Sequence, residues 1–131
     1  MKTITRVFDL LRHNLEKFPK EEFISGKING VWKKYSTQSF CDTTDQLSRG
    51  LATLGVKKGS RVGVMSANRP EWNICDYAIS QLGAYQIPLY PTLAEHDIKF
   101  MKPPFFHVKV VLALINWQIN DRPLAHQLVV L

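Results

Sequence analysis

Apolar residues recur at three- and four-residue steps along the start of the chain: Ile4, Val7, Phe8, Leu11, Leu15 and Phe18. That period predicts an amphipathic helix, with Thr3 or Thr5 as its cap and Pro19 as its stop. The pattern then changes. Glu22-Phe23-Ile24-Ser25 predicts a short strand, and Lys27-Ile28-Asn29-Gly30 carries turn chemistry. Val31-Trp32-Lys33-Lys34-Tyr35 alternates apolar and basic residues as a half-exposed strand would, so the pair reads as a hairpin.

Ser36 then caps a second helix, with Phe40, Leu47, Leu51 and Leu54 along one face and Gly55 ending it. Burying each such Leu or Phe is worth about 1.5–3 kcal/mol, so the stripe requires a partner surface. Lys57-Lys58-Gly59-Ser60 is a solvated turn that feeds a strand over residues 61–65. Asn68 is a candidate cap for a third helix, Pro70 suits its first turn, and Glu71 complements its dipole. Trp72, Cys75, Ile79 and Leu82 form its apolar stripe, and Gly83 stops it. A strand over residues 84–89 follows, with Pro88 pointing to a sheet edge. Strand, helix and strand in this order predict a parallel βαβ unit. Residues 94–101 suit a short helix, and 108–114 an apolar buried strand. Residues 116–131 are weakly periodic, include Pro123, and predict no element.

The expected fold class is therefore α/β, a partial parallel sheet with flanking helices. A length of 131 residues fits one small domain, and 45% hydrophobic with 21% charged residues is ordinary for a globular protein. No apolar run reaches the roughly 18–20 residues that span a bilayer. The N-terminal residues lack the apolar core of a secretory signal, so cytoplasm is the expected compartment. Cys41 and Cys75 fall on apolar helical stripes and are expected to be buried thiols. The four histidines have no metal-ligand spacing.

The formal charge of +6 raises the question of nucleic acid. The basic residues are scattered in short pairs such as Lys33-Lys34 and Lys57-Lys58, with no long basic run interleaved with aromatics. Nucleic acid is therefore not an expected partner, while a mild attraction to anionic substrates or a peripheral membrane contact is compatible with the charge.

Candidate chemistry is sparse. Gly50-Leu51-Ala52-Thr53-Leu54-Gly55 has the glycine spacing of a phosphate loop, but Val56-Lys57 follows it and it lies at a helix end. Gly26 and Gly30 fit no dinucleotide fingerprint. Ser66 stands at a strand-to-helix junction without the flanking glycines of a nucleophile elbow, so a turn role is expected. Glu71 and Asp76 are assigned helix-dipole and surface roles, and Trp72 a core role. Tyr85, Pro88, Tyr90 and Pro91 lie at or beyond the carboxyl end of a parallel strand, where open α/β sheets place ligands.

Asn68-Arg69-Pro70-Glu71-Trp72, then Asp76, Ala78, Gly83-Ala84 and Pro88-Leu89-Tyr90-Pro91-Thr92, resembles the adenylate-forming AMP-dependent synthetase and ligase family, in its long-chain fatty acid–CoA ligase branch. Trp32-Lys33-Lys34-Tyr35-Ser36 and the turn from Leu54 through Gly59 are similar to the same family in order and spacing. The resemblance runs from Phe8-Asp9-Leu10-Leu11 to about Val111. It implies the N-terminal part of that family's large domain over residues 1–115, with a divergent tail over 116–131. It also implies a reaction in which a fatty acid attacks Mg2+-bound ATP to give an acyl-adenylate, from which coenzyme A displaces AMP. The family's Ser/Thr/Gly-rich loop, Tyr-Gly-x-Thr-Glu segment, ribose-binding Asp and C-terminal lysine have no counterpart in this sequence, so no catalytic, cofactor-binding or metal-binding residue is assigned. Tyr90, Pro91 and Thr92 are expected at most in the vicinity of a substrate site.

The sequence departs from the family near Met101, where Lys102-Pro103-Pro104-Phe105-Phe106 replaces a short polar turn. A truncated product, a frameshift or a divergent small protein would each give this pattern. The chain alone is expected to be inactive. Self-association through an exposed sheet edge is expected, and the competing reading is a noncatalytic interaction module using its exposed α/β face.

Overall fold

A computed structural model of the chain describes residues 4–90, 92, 108–113 and 128–129. Helix α1 spans Val7–Lys17, hairpin strands β1 and β2 span Ile24–Ile28 and Val31–Tyr35, and helix α2 spans Thr37–Thr53. Strand β3 (Arg61–Met65), helix α3 (Pro70–Gln81) and strand β4 (Tyr85–Leu89) form the expected βαβ unit. Strands β5 (Val108–Ala113) and β6 (Leu128–Val129) follow.

Two sheets result. β1 and β2 pair antiparallel, while the larger sheet has the order β4-β3-β5-β6. β3 pairs parallel with both β4 and β5, and β6 pairs antiparallel with β5. Among the described strands β4 lies at an edge, which is where Pro88 can omit a backbone donor without breaking a ladder on both sides. The residues 128–129 lie in a stretch for which the sequence offered no element; β5 supplies the pairing that local periodicity did not signal.

Local details depart from expectation in several places. α1 begins after Arg6, and Asp9 reaches back to accept the backbone N–H groups of Thr5 and Arg6 at 3.3 and 3.0 Å. An acidic side chain inside the first turn thus does the capping expected of a threonine, and it suits the positive end of the dipole. The turn of the hairpin is confined to Asn29 and Gly30, both with positive φ (50° and 81°). Such a pair alone reverses a two-residue hairpin, so Lys27 and Ile28 stay in β1. α3 is capped at Arg69 rather than Asn68, in extended backbone without a side-chain cap bond; Pro70 occupies the first helical position as its fixed φ allows. Within α1 only Leu11 is fully buried, whereas Val7 and, at the C-cap, Phe18 are exposed.

The core joins the helices to β3. Leu11, Phe40, Cys41, Leu47, Leu51, Val62, Val64, Ile74, Cys75 and Ile79 belong to one buried cluster. The Phe40 ring meets Phe23 and Tyr77 edge-on at 5.4 and 5.8 Å. Ser36 caps α2 as expected by accepting from the Ser39 N–H at 3.1 Å. Gly55 and Gly83 end α2 and α3 with φ of +83° and +66°, which a side chain would strain. Leu54, assigned to the buried stripe, instead lies at the helix end and is exposed. Both cysteines are free thiols within the core, as expected.

Candidate functional site

The carboxyl ends of three strands lie level, because Met65 of β3 is in register with Leu89 of β4 and with Ala113 of β5. The chain leaves β3 toward β4 on one side, yet β5 returns to the other side of β3. Such a reversal of strand order opens a crevice at the carboxyl ends of an open sheet, the usual ligand position in this architecture. The segment 66–69 leads out of β3 at that point, and Tyr90 leads out of β4.

Glu71 organises this region. Its carboxylate is 2% exposed, and Oε2 accepts from Arg69 Nε at 2.8 Å while Oε1 accepts from the Tyr35 hydroxyl at 2.7 Å. Lys33 Nζ stands 3.4 Å from Oε1. Burial alone would push the Glu71 carboxyl up, but the bonds from Arg69 and Tyr35 outweigh it and hold it below the usual carboxylate range. Burial, reinforced by Glu71, pushes the Tyr35 phenol well above its usual range. The surface role expected for Glu71 is therefore overturned. The carboxylate is a buried tie between β2 and the first turn of α3.

Beside this tie lies an open cleft of about 420 Å³, lined by Ser25 and Gly26 of β1 and by Asn68, Arg69, Trp72 and Asn73, among others. Gly26 allows the close approach of strand and helix. A Cβ there would sit 2.5 Å from Pro70 Cδ, inside van der Waals contact. Trp72 is half-buried against the core and at the same time lines the cleft, so it is only partly the core residue expected.

The other candidates fall into place singly. Tyr90 is 74% exposed and Thr92 is exposed, whereas Pro91 lies outside the described residues. The Ser66 hydroxyl donates to the adjacent Ala67 carbonyl at 2.7 Å, consistent with a turn role. In the Gly50–Gly55 segment the N–H groups of Gly55 and Val56 donate to the carbonyls of Ala52 and Leu51, closing the end of α2 rather than facing a ligand. Asp76 is half-buried, and burial raises its carboxyl above the usual range. No group of three or more metal-ligating side chains occurs among the described residues.

A family model described as AMP-binding enzyme matches residues 11–120. The chain belongs to that family. Long chain acyl-CoA synthetase 3 of Arabidopsis thaliana is 32% identical over 117 residues, covering 84% of this chain and 17% of that protein. Long-chain-fatty-acid–CoA ligase FadD15 of Mycobacterium tuberculosis is 35% identical over 74 residues, or 56% of this chain and 12% of that protein. The chain thus spans less than a fifth of the length of these relatives. Among solved structures, IdnL1 superposes with a TM-score of 0.77 at 15% identity, covering 93% of this chain and 25% of that one. The N-terminal domain of FACL13 from Mycobacterium tuberculosis superposes with a TM-score of 0.68 at 21% identity, covering 84% and 27%. At such identities the likeness establishes the fold, an α/β unit of the N-terminal domains of adenylate-forming enzymes.

The described residues of this unit do not fit the polyphosphate of a nucleotide. Among the described residues, Arg69, which lines the cleft, and Lys33 are engaged with the buried Glu71 carboxylate, and the glycine-spaced segment spends its donors on its own helix. The described geometry is a level set of strand ends and a hairpin fixed to the helix that follows them. Sequence reasoning missed the tie at Glu71. Its only local trace is Arg69 two residues before Glu71; the hydroxyl that completes it comes from Tyr35, 36 residues away.

Proposed function

We propose that this chain is the N-terminal portion of a long-chain fatty acid–CoA ligase and that by itself it forms no acyl-CoA. The observation that carries this reading is the family match over residues 11–120, together with curated relatives named as long-chain acyl-CoA synthetases. In the complete protein the substrates are a fatty acid, ATP and CoA, with Mg2+, and the reaction is acyl adenylation followed by thioesterification. The family-like unit is taken as residues 1–115 and the divergent tail as 116–131. Tyr90, Pro91 and Thr92 follow β4 and lie in the vicinity of the substrate. A cytoplasmic compartment with a peripheral membrane contact accords with the reading, as does self-association through an open strand edge. No helix among the described residues is long and apolar enough to cross a membrane.

The test is direct. The purified chain, incubated with Mg2+, ATP, palmitate and CoA, is expected to yield neither AMP nor palmitoyl-CoA. A longer protein that carries this segment together with the Ser/Thr/Gly-rich loop is expected to yield both. Palmitoyl-CoA from the isolated chain would overturn its inactivity, and failure of the longer protein would overturn the ligase assignment.

A further inference from the structure

Strand β2 of the hairpin is largely uncovered. Of the five residues of β2 only Tyr35 is buried, while Val31 and Trp32 are 71% and 59% exposed. The strand register sorts the side chains into two faces. Lys27 lies opposite Trp32 and Ser25 opposite Lys34, and alternation along each strand places these four on one face. The other face turns inward, since Gly26 abuts Pro70 and both Lys33 and Tyr35 meet Glu71. The outward face therefore presents an indole flanked by two ammonium groups. Lys27 Nζ lies 6.0 Å from the Trp32 ring centroid, and Lys34 is paired with Glu22 at the base of the hairpin. Across this whole segment the sequence has no acidic residue between Glu22 and Asp42, but three lysines.

An exposed indole among lysines suits a boundary between water and hydrocarbon. Tryptophan settles at headgroup depth, and lysine lays its methylene stem along apolar material while its ammonium meets phosphate. Two copies of this face brought together would oppose like charges. A nucleic acid strand would find a single exposed ring and few cations, short of the stacked aromatics and basic track such binding uses. We propose that the outward face of the β1–β2 hairpin, formed by Lys27, Trp32 and Lys34, docks on an anionic lipid bilayer. This gives a surface to the membrane contact named above, but it needs no ligase chemistry and is tested without any.

The 131-residue chain is sedimented with vesicles of phosphatidylcholine alone and of phosphatidylcholine mixed equally with phosphatidylglycerol. Binding is expected to the mixed vesicles only, and to weaken as salt is raised. Lys27→Glu and Trp32→Ser each lower the partition coefficient about tenfold, because each lysine near an anionic surface and each interfacial aromatic contributes on that scale. Lys57→Glu, an equal charge change away from the hairpin, leaves it within about twofold. Lipids brominated near the headgroup quench the tryptophan emission of the unaltered chain, and Trp32→Phe, a milder change that retains the ring, abolishes that quenching. Circular dichroism confirms that the variants remain folded. Equal losses from Lys27→Glu and Lys57→Glu would reduce the effect to net charge and overturn the proposal. So would hairpin-dependent binding to an oligonucleotide, or hairpin-dependent self-association, in place of lipid binding.

Discussion

The Tyr35 hydroxyl donates a 2.7 Å hydrogen bond to the Glu71 carboxylate, tying the last residue of β2 to the first turn of α3. Arg69 and Lys33 approach the same carboxylate, so a short segment after β3 is fixed to the hairpin by charge inside the protein. Removing one member of a buried charged cluster costs more than the cluster is worth, because the remaining charges stay desolvated. Glu71→Ala is expected to destabilise the fold by about 3 kcal/mol or more, and Tyr35→Phe by about 1–2 kcal/mol. Urea denaturation measures both. Combining Tyr35→Phe with Glu71→Gln is expected to cost less than the sum of the two by at least about 0.5 kcal/mol.

The same cluster sets a pH dependence. Glu71 is held below the usual carboxylate range in the folded chain, so its stabilisation is fully present above the unfolded carboxyl's value and is lost as pH falls through the depressed one. Asp9, held by Arg6 at about 2, acts in the same direction. Asp76, raised by burial, acts oppositely, and its cost is relieved as pH falls. The denaturation midpoint should therefore decline on acidification below the ordinary carboxylate range, and less steeply in Glu71→Gln. At the alkaline end, stability should fall once pH passes the ordinary phenol range, because only the folded chain keeps Tyr35 protonated; Tyr35→Phe should remove that loss.

Two glycines separate packing from propensity. Gly26→Ala would force a methyl group to 2.5 Å from Pro70 Cδ, with the proline ring too rigid to yield. A loss of about 1–3 kcal/mol is expected, as for other overpacked sites. Gly50 lies within α2 with no neighbour inside 4 Å of an added Cβ, so Gly50→Ala should stabilise by about 0.5–1 kcal/mol. Thermal melts of the two variants should shift in opposite directions.

Cys41 and Cys75 are buried free thiols, and burial pushes Cys75 up to about 12 and raises Cys41 as well. A thiol that neither ionises nor meets solvent is a poor nucleophile. Neither should react with an aromatic disulfide reagent in the native chain, and both should react promptly in urea. Rapid labelling of either one without denaturant would show that the helical core opens.

Much of the architecture was written in local signals. Pro70 and Gly83 bracket α3, Asn29-Gly30 turns the hairpin, and Pro88 marks an edge strand, because each depends on backbone preferences of a few adjacent residues. The family resemblance was legible for the same reason, being carried by these junction residues in order. Burial was not legible. Val31-Trp32-Lys33-Lys34-Tyr35 reads as an alternation of apolar and basic positions, yet the face that turns inward holds Lys33 with Tyr35, and Trp32 faces out beside Lys34. At the first turn of a helix Glu71 looks like a solvated partner of the dipole; it is buried because a hairpin far upstream lays a phenol and an ammonium over it. Through β4 the sequence determined which elements form and, to within a few residues, where they end, since φ preferences and apolar periods act within a turn or two; β6 needed the pairing that β5 supplies. The tertiary structure decided which charges go inside and which aromatic stays out, since desolvation depends on neighbours that only folding brings together.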